Sequence, residues 1–185
     1  NTLAKNVADF VTKAKNAGGY YITRYEGGKV NGNTNTFNIK KGQTVYDNIT
    51  QPDAANLARN LYSNNTNFQS DLINSYAWDT AIVFIQTFSG DTDYSWQEPL
   101  QTSVTTTGNA HNGSVYDVKC NIYDMAGNVW EWTTESYNYS FYPWVSRGGK
   151  YNFNDGYTSR RYAHRSTMTT SGTAITVGIR SILYL

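Results

Sequence analysis

Two tryptophans bracket a glutamate in Gly127-Asn128-Val129-Trp130-Glu131-Trp132, and two arginine motifs follow, Arg147-Gly148-Gly149 and Gly178-Ile179-Arg180. An indole is a large apolar anchor whose N–H needs an acceptor. A carboxylate between two of them does not stay unpaired, because an isolated charge in an apolar setting is costly. Glu131 is therefore expected to bind a metal ion, pair with an arginine such as Arg147 or Arg180, or accept backbone N–H groups. Gly127 and Asn128 mark a tight turn, since both residue types tolerate left-handed backbone.

Other chemistry is sparse. Cys120 is the only cysteine, which excludes an intrachain disulfide and a multi-cysteine zinc site. It reads as a small buried hydrophobe. His111 and His164 lack metal-ligand spacing. Arg160, Arg161, His164 and Arg165 form a short basic cluster. It reads as structural pairing with Glu26, Asp124, Glu131 or Asp155, or else as an anion site. No phosphate-cradling loop and no Gly-x-Ser-x-Gly elbow occurs. Carboxylate pairs for glycoside hydrolysis meet in space rather than in sequence, and nothing here favours one.

The elements that would position these residues follow from periodicity. The 185 residues fit one domain, 1–185. Residues 2–16 carry Leu3, Val7, Phe10, Val11 and Ala14 at helical spacing, and Gly18-Gly19 ends that helix. Tyr20–Tyr25 reads as a strand, and a short strand is expected near Thr36–Ile39. Thr50, Pro52 and Asp53 announce a second helix running to Leu61. Ser63–Asn67 is a polar loop, and a third helix is expected over Ala77–Phe88. Ser89–Ser114 looks irregular and too long to be an idle connection. Strand-like pieces follow at Val129–Thr133, Ser146–Tyr151, Arg160–Ala163 and Ala174–Leu185. The last is expected to pair with Tyr20–Arg24.

Composition narrows the partners. A net charge of +1 leaves no electrostatic footprint for nucleic acid. No apolar run is long enough for membrane insertion, and the first residues lack a secretory signal pattern. Because the sequence starts at Asn1, it reads as a processed chain or an excised domain.

Taken together, Gly19–Glu26, Ala77-Trp78-Asp79, Tyr123–Trp132, Arg147-Gly148-Gly149 and Gly178-Ile179-Arg180 resemble the formylglycine-generating enzyme (sulfatase-modifying factor) family, in that family's order. The resemblance implies an α+β C-type lectin-like fold with two main helices, short antiparallel sheets and much irregular structure. It also implies a calcium site formed by the Asn128 and Glu131 side chains and the Val129 carbonyl, for which hard oxygen ligands are apt. The alternative is a metal-free loop with Glu131 held by arginine. No other cofactor is expected.

One departure outweighs these matches. Catalytic members carry two cysteines shortly after Arg-Gly-Gly, where they bind copper. Here those positions fall near Phe153 and Thr158, and neither supplies a thiolate. The chain is therefore expected not to be an enzyme. Cysteine-free relatives include the variable proteins of diversity-generating retroelements, which display asparagine- and tyrosine-rich surfaces. The matching residues are Tyr137, Tyr139, Tyr142, Trp144, Asn152, Asn154, Asp155, Tyr157 and Ser159. Tyrosine and tryptophan give rigid amphipathic contact area, and short polar side chains give adaptable hydrogen bonds. The expected role is ligand binding, to a protein or glycan on a cell or particle surface, on a phage tail or a bacterial surface. The alternatives are an enzyme with altered oxidative chemistry and a structural tail or fibre module. The 137–144 and 151–159 loops flank the Arg-Gly-Gly strand and are expected to open onto one face.

Overall fold

The computed structural model describes residues 7–31, 33–94, 103–109, 118–125, 127–136, 144–151, 165–168 and 176–185. In chain order the elements are α1 Val7–Asn16, β1 Tyr21–Ile22, β2 Gly28–Val30, β3 Asn33–Asn38, β4 Thr44–Val45, α2 Gln51–Asn60, β5 Gln69–Leu72 and α3 Ser75–Ser89. Then come β6 Val118–Lys119, β7 Ile122–Tyr123, β8 Trp130–Ser136, β9 Trp144–Arg147, β10 Arg165–Met168, β11 Val177–Gly178 and β12 Ser181–Tyr184. Among the described residues, short and mostly antiparallel strands beside three helices make the α+β fold that the resemblance implies.

Local chemistry sets the helix ends. The Thr50 hydroxyl accepts from Asp53 N at 3.3 Å and caps α2, with Pro52 in the first turn. Asn74 Oδ1 accepts from Ala77 N at 2.9 Å, so α3 starts two residues before the expected Ala77. Gly90, at φ 75°, ends it in the left-handed conformation. The inner face of α3 buries Ala77, Trp78, Ala81, Ile82 and Ile85. Its outer face exposes Tyr76, Val83, Phe84 and Phe88, the last at 70%, and the Phe84 and Phe88 rings lie 4.8 Å apart. Thr80 and Thr87 turn their hydroxyls back to the Tyr76 and Val83 carbonyls, both at 2.7 Å.

Among the described residues the strands form four sheets. The expected pairing of its two ends is present: β1 lies antiparallel to β12, Tyr21 opposite Leu183 and Ile22 opposite Ile182. β12 is central, because β5 closes its other edge. β5 carries Ser70 and Asp71, and that polarity concealed it in the sequence. The second sheet has the order β10-β9-β8-β11, with β11 parallel to β8 and the rest antiparallel. The expected strand Ala174–Leu185 is two strands, broken at Ile179 and Arg180. The expected strand Arg160–Ala163 lies outside the described residues. The buried apolar side chains form two core clusters. Phe10, Trp78, Ile82, Met125 and Ile182 belong to one; Tyr46, Ala54, Leu72, Trp132 and Ile179 belong to the other.

Candidate functional site

The Gly127–Trp132 segment forms a buried polar knot. Asn128 takes φ 59°, as its place after the turn demands. Its carbonyl accepts from Tyr151 N at 2.9 Å, tying the segment to the end of the Arg-Gly-Gly strand. Asn128 Nδ2 donates to Glu26 Oε2 at 2.6 Å, and Asn128 Oδ1 accepts from Thr105 N at 2.9 Å. Three positions on, Glu131 is 1% exposed. Its Oε2 accepts from Trp78 Nε1 at 2.8 Å and its Oε1 from Arg180 Nε at 2.5 Å. Arg180, fully buried, then donates to the Thr23 carbonyl at 2.9 Å and the Tyr123 carbonyl at 2.7 Å. One guanidinium thus joins the chain before β2, the end of β7 and the start of β8.

Arginine pairing is therefore the arrangement of Glu131, and Arg180 is the partner. Arg147, opposite Glu131 in the strand register, goes elsewhere. Its guanidinium lies 4.8 Å over the Trp78 ring and pairs with Asp79. Of the atoms the resemblance assigns to calcium, both Glu131 oxygens accept from other groups, one of them a cation, and Asn128 Oδ1 accepts from Thr105 N–H. Among the described residues, no group of three or more His, Cys, Asp or Glu side chains could hold a metal.

The electrostatics follow from burial. Glu26 is fully buried, and its carboxyl sits well above the usual range. Desolvation is the main cause, Asp124 and Glu131 add repulsion, and Arg180 opposes them. Burial also raises the Glu131 carboxyl against the pull of Arg180 and the Trp78 N–H. Burial would lower Arg180, but Glu131, Glu26 and Asp124 together hold it above its ordinary value. Glu26 therefore holds its proton more readily than a free carboxyl, and Arg180 remains a cation.

Close packing reinforces the knot. A side chain at Gly178 would place a Cβ 2.6 Å from the Tyr46 carbonyl oxygen and 2.8 Å from Val129 Cγ2, so only glycine lets β11 lie against β8.

Among the expected binding residues, Trp144 alone is described. It opens β9, half-buried against the second core cluster, and its indole Nε1 is buried without a hydrogen-bond partner. Tyr137, Tyr139, Tyr142, Asn152, Asn154, Asp155, Tyr157 and Ser159 lie outside the described residues. The strand ends still fix where those segments attach. Ser136 and Trp144 pair at one end of β9, where Met168 also ends β10; Arg147 and Arg165 pair at the other. The 137–143 segment therefore attaches at the Ser136–Trp144 end of β9, and 152–159 follows Tyr151, four residues beyond the opposite end at Arg147. Sequence reading expected them to flank the strand; it did not give these points of attachment. Nor did it find the Asn128–Glu26 contact, which spans 102 residues.

Residues 16–184 match the sulfatase-modifying factor enzyme 1-like domain. No curated protein sequence matches the chain. Among solved structures, PvdO from Pseudomonas aeruginosa is similar over 96% of this chain and 76% of its own, at 13% identity and a TM-score of 0.53. CarF is similar over 75% of this chain and 67% of its own, at 17% identity and a TM-score of 0.51. At such identities these two show the fold alone. The Major Tropism Determinant I1 variant matches over 77% of this chain and 38% of its own, at 17% identity. Its TM-score of 0.45 is too low to bear on function.

Proposed function

The chain belongs to the sulfatase-modifying factor enzyme 1-like family, and from that premise we propose that it is a non-catalytic member whose work is binding. The observation that carries this reading is the commitment of the motif's reactive side chains to the fold. Glu131, Arg180 and Trp78 are each 1% exposed or less, and Glu131 accepts from both of the others. Arg147 is spent on Trp78 and Asp79. The lone thiol, Cys120, sits between β6 and β7 at φ 49° and packs against the first core cluster. Thiolate-copper chemistry needs sulfur beside the Arg-Gly-Gly strand, and the sequence has no second cysteine to place there.

What the scaffold offers instead is a braced sheet with tyrosine- and asparagine-rich segments attached at one end of β9 and beyond the other. Tyr137, Tyr139, Tyr142 and Tyr157 serve as rigid contacts for a protein or glycan on a cell or particle surface, as on a phage tail or bacterial envelope. Among the described residues, no helix is long and apolar enough to cross a membrane.

The test has two arms. Copper-loaded protein incubated with a cysteine-containing peptide should yield no aldehyde by mass spectrometry; turnover would sink the reading. On protein and glycan arrays, any ligand captured should be lost when Tyr139 and Tyr157 are replaced by alanine, with the melting temperature kept.

A further inference from the structure

The polar loop after α2 lines a cleft unrelated to the Arg-Gly-Gly strand. From Asn60 to Gln69 the sequence has no charged residue, but it has four asparagines and a threonine besides Tyr62 and Phe68. With Lys13 from α1 and Arg59 from α2, this loop walls a cavity of about 580 Å³. A second cavity of about 350 Å³, reaching Tyr184, meets it at Lys13 and Gln69. Single ligand sites span about 300–1,000 Å³.

The lining identifies a class of ligand. Tyr62 and Phe68 form an aromatic wall, ring centroids 6.4 Å apart, with Tyr62 42% exposed. An aromatic wall beside amide groups suits a ring with one apolar face and many hydroxyls. The charges add a preference. Asp71 is nearly buried and already taken: its Oδ1 accepts from Arg59 Nε at 3.1 Å and from Leu72 N at 2.8 Å. Arg59 reaches Asp71 through Nε; its Nη2 is buried without an acceptor among the described residues, and 23% of the side chain stays open to the cleft. A planar guanidinium with spare donors selects a carboxylate or similar oxyanion. Lys13 adds a second cation, its Nζ 5.4 Å over the Tyr184 ring.

We propose that this cleft binds an acidic saccharide, a hexuronate or another carboxylate-bearing sugar. Its carboxylate meets Arg59 and Lys13, its hydroxyls meet Asn65 and Gln69, and its apolar face lies on Tyr62 and Phe68. The site is independent of the tyrosine-rich segments, so either can fail without the other.

Titration of the ¹⁵N-labelled chain with sodium glucuronate, glucose and sodium acetate, followed by amide shifts, tests this. Glucuronate should produce saturable shifts at Lys13, Tyr62, Asn65 and Gln69 with a millimolar dissociation constant, about tenfold tighter than glucose. Acetate should produce none. Because Arg59→Gln also strands the buried Asp71, Lys13→Gln and Phe68→Ala carry the mutational arm; each should weaken glucuronate at least threefold with the spectrum otherwise folded. No saturable shift below about 100 mM glucuronate would overturn the proposal. Equal binding of acetate would reduce the site to an adventitious ion only, and equal binding of glucose would refute the acid preference.

Discussion

At the residue scale the pair to weigh is Glu131 and Arg180. Removing one partner of a buried ion pair leaves the other charge stranded, at a cost of about 3–5 kcal/mol. Glu131→Gln should destabilise the fold by that order in denaturant melts, since Arg180 has no solvent to turn to. Trp78→Phe removes one hydrogen bond and leaves Glu131 Oε2 short of a donor, so a smaller loss of about 1–3 kcal/mol is expected. Added calcium or a chelator should leave the melting temperature of the wild type unchanged. Glu26 behaves oppositely to most carboxylates. Its pKa is raised in the folded state, so between its ordinary value of 4.5 and that raised value the native state holds more protons than the unfolded one. Stability should therefore fall as pH rises through that window. Glu26→Gln, which can still accept from Asn128, should flatten this part of the curve in melting temperatures measured from pH 4.5 upward. An unchanged slope would assign the effect to another group.

At the element scale, what could be read depended on how each strand is buried. The helices were legible because their apolar spacing and caps are local: Thr50, Pro52 and Asp53 mark α2 within four positions. β5 was not, because Ser70 and Asp71 owe their burial to Arg59 and to the strand beside them. β8 runs past the expected Thr133 through a bulge, with four steps from Trp132 to Ser136 set against two from Ser146 to Trp144. Thr133 Oγ1 bonds the Val145 carbonyl at 2.9 Å, and Thr134 N bonds the Ile73 carbonyl at 3.0 Å; no sequence pattern announces either. The break between β11 and β12 arises where Arg180 turns inward. Gly178→Ala should open the β8–β11 contact and cost about 1–3 kcal/mol, visible as a lower melting temperature and faster amide exchange at Trp130 N–H, which bonds the Thr176 carbonyl at 2.9 Å.

At the scale of the whole molecule, the motif residues were legible and their partners were not. Glu131 drew notice through its flanking tryptophans, but its donors lie 53 and 49 residues away in sequence. Spacing cannot reveal such closures, which depend on β12 lying between β1 and β5. The same closures run entirely among residues outside 152–159. Replacing 152–159 by a Gly/Ser stretch of equal length should shift the melting temperature by no more than about 4 °C, the equivalent of about 1 kcal/mol in a chain of this size. A larger fall would show that those side chains belong to the core.

The outward side of α3 has a consequence for how the molecule behaves in water. With both threonine hydroxyls folded back onto the backbone, methyl groups and benzene rings meet the solvent together over three turns of helix. Exposed apolar stripes of this kind recruit hydrophobic dyes and limit solubility in folded proteins. The native domain should therefore light up anilinonaphthalene sulfonate before any unfolding begins, and the glow should dim when Phe88 becomes lysine.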